Sequence, residues 1–362
     1  MTETTFLSSF SKYIKTDDIL ILAVSGGVDS MVLLDLVLAR HPKDKIVVAH
    51  FDHSLRWSES DWDREYIAKY CNTWNITFEV EKMDIASLAK EEKMSVEAVA
   101  RKYRYEFLTR IAEKYSAKYI LTAHHQDDRI ETAVFNLIRG TKLGGIHALS
   151  LLSSRGTRDP FQNQVWKNNN QDLLSEWESD PAFRSLVRRT GFSATLRNDK
   201  IRESYTIFRP LLHTSKSEIL EYAKEKNISF REDSSNADTD YLRNHLRVNI
   251  LPEFGKINGE YRKSIENFIE YTEELKTWID DEVEDFLSSE QSFSVSDFEK
   301  KSPFFQKEII RYLYEKANGW TIWLSEGNID EILRFICTAN GSTMKEVGRL
   351  KLMKKNNRII LC

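Results

Sequence analysis

Apolar and polar positions alternate along the first two thirds of this chain in two distinct rhythms. Ile19–Val24 is a short continuous apolar run, which suits a strand covered on both faces of a parallel sheet, and Lys45–Phe51, Ile76–Met83, Tyr119–Ala123 and Tyr205–Leu212 read as further strands. Between them the apolar spacing stretches to the helical period. Met31–Ala39 is apolar nearly all round, which predicts a buried helix. Asp61–Thr73 predicts a second, and Ser95–Lys114 a third, with Ser95 as its cap and Val96, Val99, Tyr103, Phe107 and Ile111 on one face. A helix runs up to Ile138, and Ser215–Lys226 carries a capping box from Ser215 to Glu218. Lys90–Lys93 reads as a solvated charged turn. Strand and helix in alternation predict an α/β fold with a doubly wound parallel sheet.

The rhythm changes twice. Ser153–Glu203 has weak periodicity, apart from a short amphipathic stretch at Asp180–Arg189, and reads as a surface insertion. A helix from about Asp240 is expected to stop at Pro252. Beyond a linker near 254–258 come helices over Asn258–Ser289, Asp297–Ala317 and Asn328–Thr338, then a hairpin over Leu350–Cys362 turning at 354–357. The predicted organisation is a catalytic domain over 1–255, with 153–203 inserted, and a smaller, mainly helical domain over 256–362.

Composition narrows the setting. With 52 basic and 56 acidic residues the net charge is −4, so any RNA contact must rest on local basic patches. One such patch is the C-terminal end, where Lys345, Arg349, Lys351, Lys354, Lys355 and Arg358 face one acid, Glu346; a solvated hairpin is an equally good reading. Cys71, Cys337 and Cys362 are odd in number and far apart, which argues against a disulfide framework and for the cytoplasm. No run of about 18 apolar residues occurs and no signal peptide is visible, so no membrane segment is expected.

The chemistry gathers at strand ends. Ser25-Gly26-Gly27-Val28-Asp29-Ser30 joins the first strand to the buried helix. A glycine turn feeding a helix N-terminus makes an anion site, because the backbone approaches closely and unpaired N–H groups point outward. The turn is neither GxxxxGK[ST] nor GxGxxG. The plainer alternative is an ordinary tight turn with Asp29 or Ser30 as a cap. The second strand ends in His50-Phe51-Asp52-His53; two histidines three apart are weak grounds for zinc without further ligands. The fourth empties into His124-His125-Gln126-Asp127-Asp128-Arg129-Ile130-Glu131. Acids at a helix N-terminus are favourable in themselves, but three acids and two histidines together favour a ligand-facing role. Asp127 and Glu131 share a helix face, suited to Mg2+ or to a cationic amine. Arg101 and Arg104, and Arg243 and Arg247, are basic pairs for phosphates, or else solvated faces.

SGGVDS (25–30), HFDHSLR (50–56), SVEAVARKYRYEFL (95–108), LTAHHQDDRIETAVFNLIRG (121–140), FRPLL (208–212) and REDSSNADTDYLRNHLR (231–247) occur in this order. The first resembles the pyrophosphate-binding loop of the ATP-pyrophosphatase superfamily, and the set together resembles the tRNA(Ile)-lysidine synthetase family. The resemblance covers 19–152 and 205–255 well. It implies a ligase that uses ATP and Mg2+ to adenylate the C2 carbonyl oxygen of the wobble cytidine in a tRNA(Ile) with a CAU anticodon, after which free L-lysine displaces AMP. Ser25 to Ser30, with His50, Arg101 and Arg104, would hold ATP; Asp29 and Asp128 the metal; Asp127 and Glu131 the lysine ammonium; Arg243 and Arg247 substrate phosphates; and Asp29, Asp127, Asp128, Glu131 and His124 would form the catalytic set, a carboxylate or His124 taking the amine's proton. Asp52 and Ser54 stand where Asn and Gly are usual. The chain resembles the short form of the family, so tRNA contacts would fall to 256–362, and deleting 260–362 is expected to abolish tRNA binding while sparing ATP binding. A homodimer is one expected assembly. The rival readings are a tRNA thiolase of the same superfamily, for which no CxxC exists, and a non-catalytic RNA-binding relative.

Overall fold

The structure is a computed structural model that describes residues 2–54, 57–146, 149–153, 205–231, 242–287, 292–318, 324–339 and 343–361. The chain divides into two units: 1–139 with 148–266, and 140–147 with 267–362.

The first unit is built on β1 (Leu20–Ala23). Leu20, Ile21 and Leu22 are all fully buried, as a central strand with both faces covered requires. It pairs in parallel with β2 (Ile46–Asp52) on one side and β4 (Tyr119–Leu121) on the other, Leu20 facing both Ile46 and Tyr119. β3 (Thr77–Lys82) adds parallel to β2, β6 (Thr206–Phe208) parallel to β4, and the short β5 (Leu152–Ser153) antiparallel to β6. The order is β3-β2-β1-β4-β6-β5.

Helices cover both faces, and side-chain alternation decides which residue meets which. Leu20, Leu22, Ile46 and Val48 pack with α1 (Thr2–Tyr13), α2 (Val28–Leu38), α3 (Trp57–Trp74) and α8 (Lys216–Glu225), through Phe6, Leu33, Ile67 and Ile219 among others. Ile21, Val47, Ala49 and Ile120 face the opposite way, against α4 (Ile85–Glu92) and α5 (Val96–Tyr115) through Ile85, Val99, Phe107 and Ile111. Leu33 is fully buried; truncation to Ala would cost roughly 3 kcal/mol. The predicted doubly wound α/β fold is therefore the observed one.

Details differ for local reasons. Lys90 to Glu92 are the last turn of α4, and Lys93 ends it at φ 52°, so the charged turn is a helix terminus. Pro252 does not stop a helix. After α9 (Leu242–His245) the chain takes a π-helical turn over Leu246–Ile250, and α10 (Leu251–Ile257) opens with Pro252 in its first turn. There the missing N–H costs nothing. The expected insertion lies outside the described residues except for Ser153, as do the loop over 232–241 and the amphipathic stretch at 180–189.

α6 (Gln126–Ile138) closes the first part of this unit, and α11 (Tyr261–Leu287) carries the boundary between the units at Glu266. The second unit holds α7 (Leu143–Ile146) and the rest of α11, with α12 (Val295–Glu299), α13 (Pro303–Asn318) and α14 (Glu326–Thr338). The helix expected over 297–317 is thus two, split before Pro303. The predicted hairpin is present as β9 (Leu350–Lys355) and β10 (Arg358–Leu361), but with β7 (Ser292–Ser294) and β8 (Thr343–Val347) it forms half of an antiparallel sheet in the order β7-β10-β9-β8. Its inner face joins Val283, Phe298, Leu313 and Ile332 in one core through Leu352 and Ile359. Lys354 also points inward and donates to the Ile336 carbonyl at 2.6 Å, so it caps α14 rather than offering a surface charge.

Candidate active site

The chain runs from β1 outward to β2 and β3, then returns to place β4 on the other side of β1. That reversal opens a crevice at the C-terminal ends of β1 and β4, where open α/β sheets bind ligands. The two segments that leave those strands are the glycine turn and the histidine–aspartate stretch.

Gly26 adopts φ 91°, a conformation that a Cβ would strain. Gly27 caps α2 in an extended conformation, and the first intrahelical bond runs from the Met31 N–H to its carbonyl. The N–H groups of Val28, Asp29 and Ser30 thus precede the helical ladder and carry the positive end of its dipole. Ser30 closes the turn: its Oγ accepts from the N–H groups of Ser25 and Gly26, each at 3.2 Å, and donates to the Gly27 carbonyl at 2.9 Å. His50, buried at the end of β2, donates from Nδ1 to the Val24 carbonyl at 2.9 Å. It braces the strand end that launches the loop, and the bond fixes its tautomer.

Across the crevice, buried His125 gathers three carboxylates. Its Nε2 lies 3.9 Å from Asp29 and 3.5 Å from Asp128, and its Nδ1 3.8 Å from Asp127. Asp128 also accepts the His125 backbone N–H at 3.1 Å, capping α6. Asp127 accepts from the Lys216 backbone N–H at 2.9 Å and from Arg262 Nε at 3.0 Å. The Lys216 ammonium reaches Asp29 at 2.6 Å. Glu131 sits deeper than the aspartates. It is 1% exposed and accepts from Arg247 Nε at 2.6 Å and from its second guanidinium nitrogen at 3.0 Å, so the oxygens expected to receive an ammonium already hold a guanidinium. Arg247 is correspondingly an acid's partner, with Asp128 3.9 Å away. The Arg243 side chain lies outside the described residues.

A basic set lies beside the acids. His124 bonds Thr122 Oγ1 through Nδ1 at 2.8 Å. Burial among protein atoms, then the charges of Arg209, Arg101 and Arg104, hold its pKa well below the usual histidine value, against an opposing pull from Asp128. His124 is neutral near pH 7. Arg101 and Arg104 both lie over the Tyr105 ring, at 5.1 and 5.5 Å. Arg209 is anchored to the Ser150 carbonyl at 2.8 Å. Ser54 sits at φ 50°, where glycine is easiest, and its N–H bonds Asp52 Oδ1 at 2.8 Å.

Sequence reasoning missed Lys216, Arg209 and Arg262. Arg209 lay inside FRPLL, but Lys216 and Arg262 are 187 and 135 positions from the aspartates they meet, and only strand order brings them there.

A glycine turn at a helix N-terminus beside clustered carboxylates, at the switch point of a mostly parallel sheet, is an architecture suited to nucleotide binding. The PP-loop domain family matches residues 2–172 and 182–254, and the chain belongs to that family. The chain is similar to the tRNA(Ile)-lysidine synthase of Thermotoga sp. strain RQ2, 30% identical over 320 residues, covering 88% of this chain and 64% of that one. It is also similar to the tRNA(Ile)-lysidine synthase of Petrotoga mobilis, 28% identical over 362 residues, with 98% and 96% covered. The chain thus spans 64% of the length of the Thermotoga relative. Among solved structures, the U34-tRNA thiolase NcsA of Methanococcus maripaludis shares the fold, with TM-score 0.51, 14% identity and 76% and 78% covered.

Proposed function

We propose that this protein ligates L-lysine to C2 of the wobble cytidine of a tRNA(Ile) with a CAU anticodon, through an adenylated tRNA, with release of AMP and pyrophosphate. The observation that carries the reading is the meeting of the SGGVDS turn and the His125-centred carboxylates at one crevice, in a chain whose relatives bear that activity in their names.

The roles follow from the chemistry of each group. The turn's backbone N–H groups and the α2 dipole stabilise charge on the departing pyrophosphate. Asp29 and Asp128 approach the same imidazole nitrogen and offer the hard oxygen donors that Mg2+ prefers. The position at Asp29 already attracts a cation, the Lys216 ammonium, so the residues fit the ion. When bound it would neutralise phosphate charge. Of the two carboxylates expected to receive the lysine ammonium, Asp127 is the better placed, since its partners are a backbone N–H and the half-exposed Arg262. A carboxylate of the cluster, or His124, would take the proton that the amine must shed before it attacks. Arg101, Arg104 and Arg209 supply positive charge to nucleotide or RNA phosphate. Free cysteines fit a cytoplasmic enzyme.

The thiolase alternative needs a reactive sulfur. Burial pushes the Cys71 thiol up to about 12, and the thiol is sealed in the core; Cys337 belongs to the other unit. Transfer of radiolabelled lysine to an in vitro transcribed tRNA(Ile) tests the reading. Label is expected with a CAU anticodon and with no transfer to a GAU control. Equal labelling of both, or none with either, contradicts it. Asp127→Asn is expected to raise the KM for lysine by about tenfold or more, the effect of removing a charge-assisted hydrogen bond.

A further inference from the structure

Nucleotide loops of the GxxxxGK[ST] type carry a lysine that reaches the β- and γ-phosphates. The SGGVDS turn has none, yet a lysine head stands against it. Lys216, the first residue of α8, places its ammonium 2.6 Å from Asp29 Oδ1. Its backbone is fixed. The N–H bonds Asp127 at 2.9 Å, Ser215 and Glu218 form a capping box before it, and the Thr214 carbonyl accepts the Gln126 N–H at 2.9 Å. The head is held less firmly: the side chain is 38% exposed and Asp29 is its one ion-pair partner among the described residues. A partly exposed pair of this kind adds little stability and costs little to break.

We propose that Lys216 is a catalytic residue of the adenylation step, delivered to the loop from a helix distant in sequence. In the resting enzyme its ammonium fills the cation position at Asp29. A divalent ion accompanying ATP would be held by Asp29, which would free the ammonium to offset charge on the leaving phosphates. In the reaction the acceptor oxygen forms its bond to the α-phosphorus while the bond from that phosphorus to the bridging oxygen breaks. The electron pair stays on the bridging oxygen, and pyrophosphate departs. Lys216 offsets the charge gathered there and transfers no proton.

This rests on the adenylation reading above, and two measurements on the full chain separate them. Mn2+ titration without nucleotide, followed by the paramagnetic signal of free Mn2+, is expected to show Lys216→Met binding about two- to fivefold more tightly than the parent, the worth of a displaced half-exposed pair. Pyrophosphate release with tRNA and lysine is expected to fall about 10²- to 10³-fold in kcat, as for loss of one transition-state donor, and Lys216→Arg to recover at least about tenfold of that. A purely structural residue would not tighten the metal while slowing the chemistry. Unchanged or weaker Mn2+ binding, or a kcat within about threefold of the parent, overturns the proposal. Lys216→Gln replaces the methionine variant if that fails to fold. A parent enzyme that releases no pyrophosphate overturns the adenylation reading instead, and the Mn2+ arm still decides the exchange at Asp29.

Discussion

Glu131 and Arg247 show how burial decides a residue's duty. A carboxylate 1% exposed cannot remain charged without a partner, and the two-nitrogen grip of Arg247 provides one. Arg247→Ala is expected to lower unfolding stability by roughly 1–3 kcal/mol, the cost of leaving a charged hydrogen-bonded group unmatched, and combining it with Glu131→Gln should recover part of the loss in a double-mutant cycle. A simple sum of the two losses would mean the pair carries little. His124 makes a pH-dependent case. Its folded pKa is depressed by burial and by arginines, so as pH falls below about 6.5 the unfolded chain takes up a proton first and stability declines. His124→Gln should flatten the dependence of Tm on pH between about 7 and 5; an unchanged slope would contradict the assignment.

At the scale of elements, the capping box of α8 does two jobs. It satisfies the helix start and sets the Lys216 backbone against Asp127. Ser215→Ala is expected to cost about 1 kcal/mol of stability, with a larger loss in adenylation than that figure implies, measured as pyrophosphate release beside a denaturant titration. The strands and helices of the first unit were legible in sequence because their burial is two-sided or one-sided in a regular period: Leu20 to Leu22 and Val99 to Ile111 announce themselves. The turn at Gly26 and the acids after β4 were legible too. The short β5, the π turn before Pro252 and the outer strands of the second sheet were not, since brief pairings are set by tertiary neighbours and not by local pattern. Long-range partners such as Lys216 and Arg262 were illegible for the same reason.

For the whole molecule, the boundary at Glu266 alters how tRNA binding should be tested. Deleting 260–362 would remove Arg262 and Glu266, the partners of Asp127 and of buried Arg129 within the first unit. ATP binding would then suffer for reasons unrelated to RNA. Neutralising the exposed hairpin charges is the better probe. Lys354 is excluded, because it is buried on the Ile336 carbonyl. Lys351→Gln, Lys355→Gln and Arg358→Gln together are expected to weaken tRNA binding and to reduce the salt slope by about one for each phosphate left unneutralised; an unchanged slope would move the RNA surface elsewhere.

In the proposed reaction the glycine turn after β1 holds the two phosphates that leave. Thin-layer analysis of products from α- and γ-labelled ATP, with Mg2+, lysine and tRNA(Ile) present, reads this directly. AMP and pyrophosphate in equal amounts, formed only when the tRNA is present, are the predicted result. ADP with orthophosphate would contradict it.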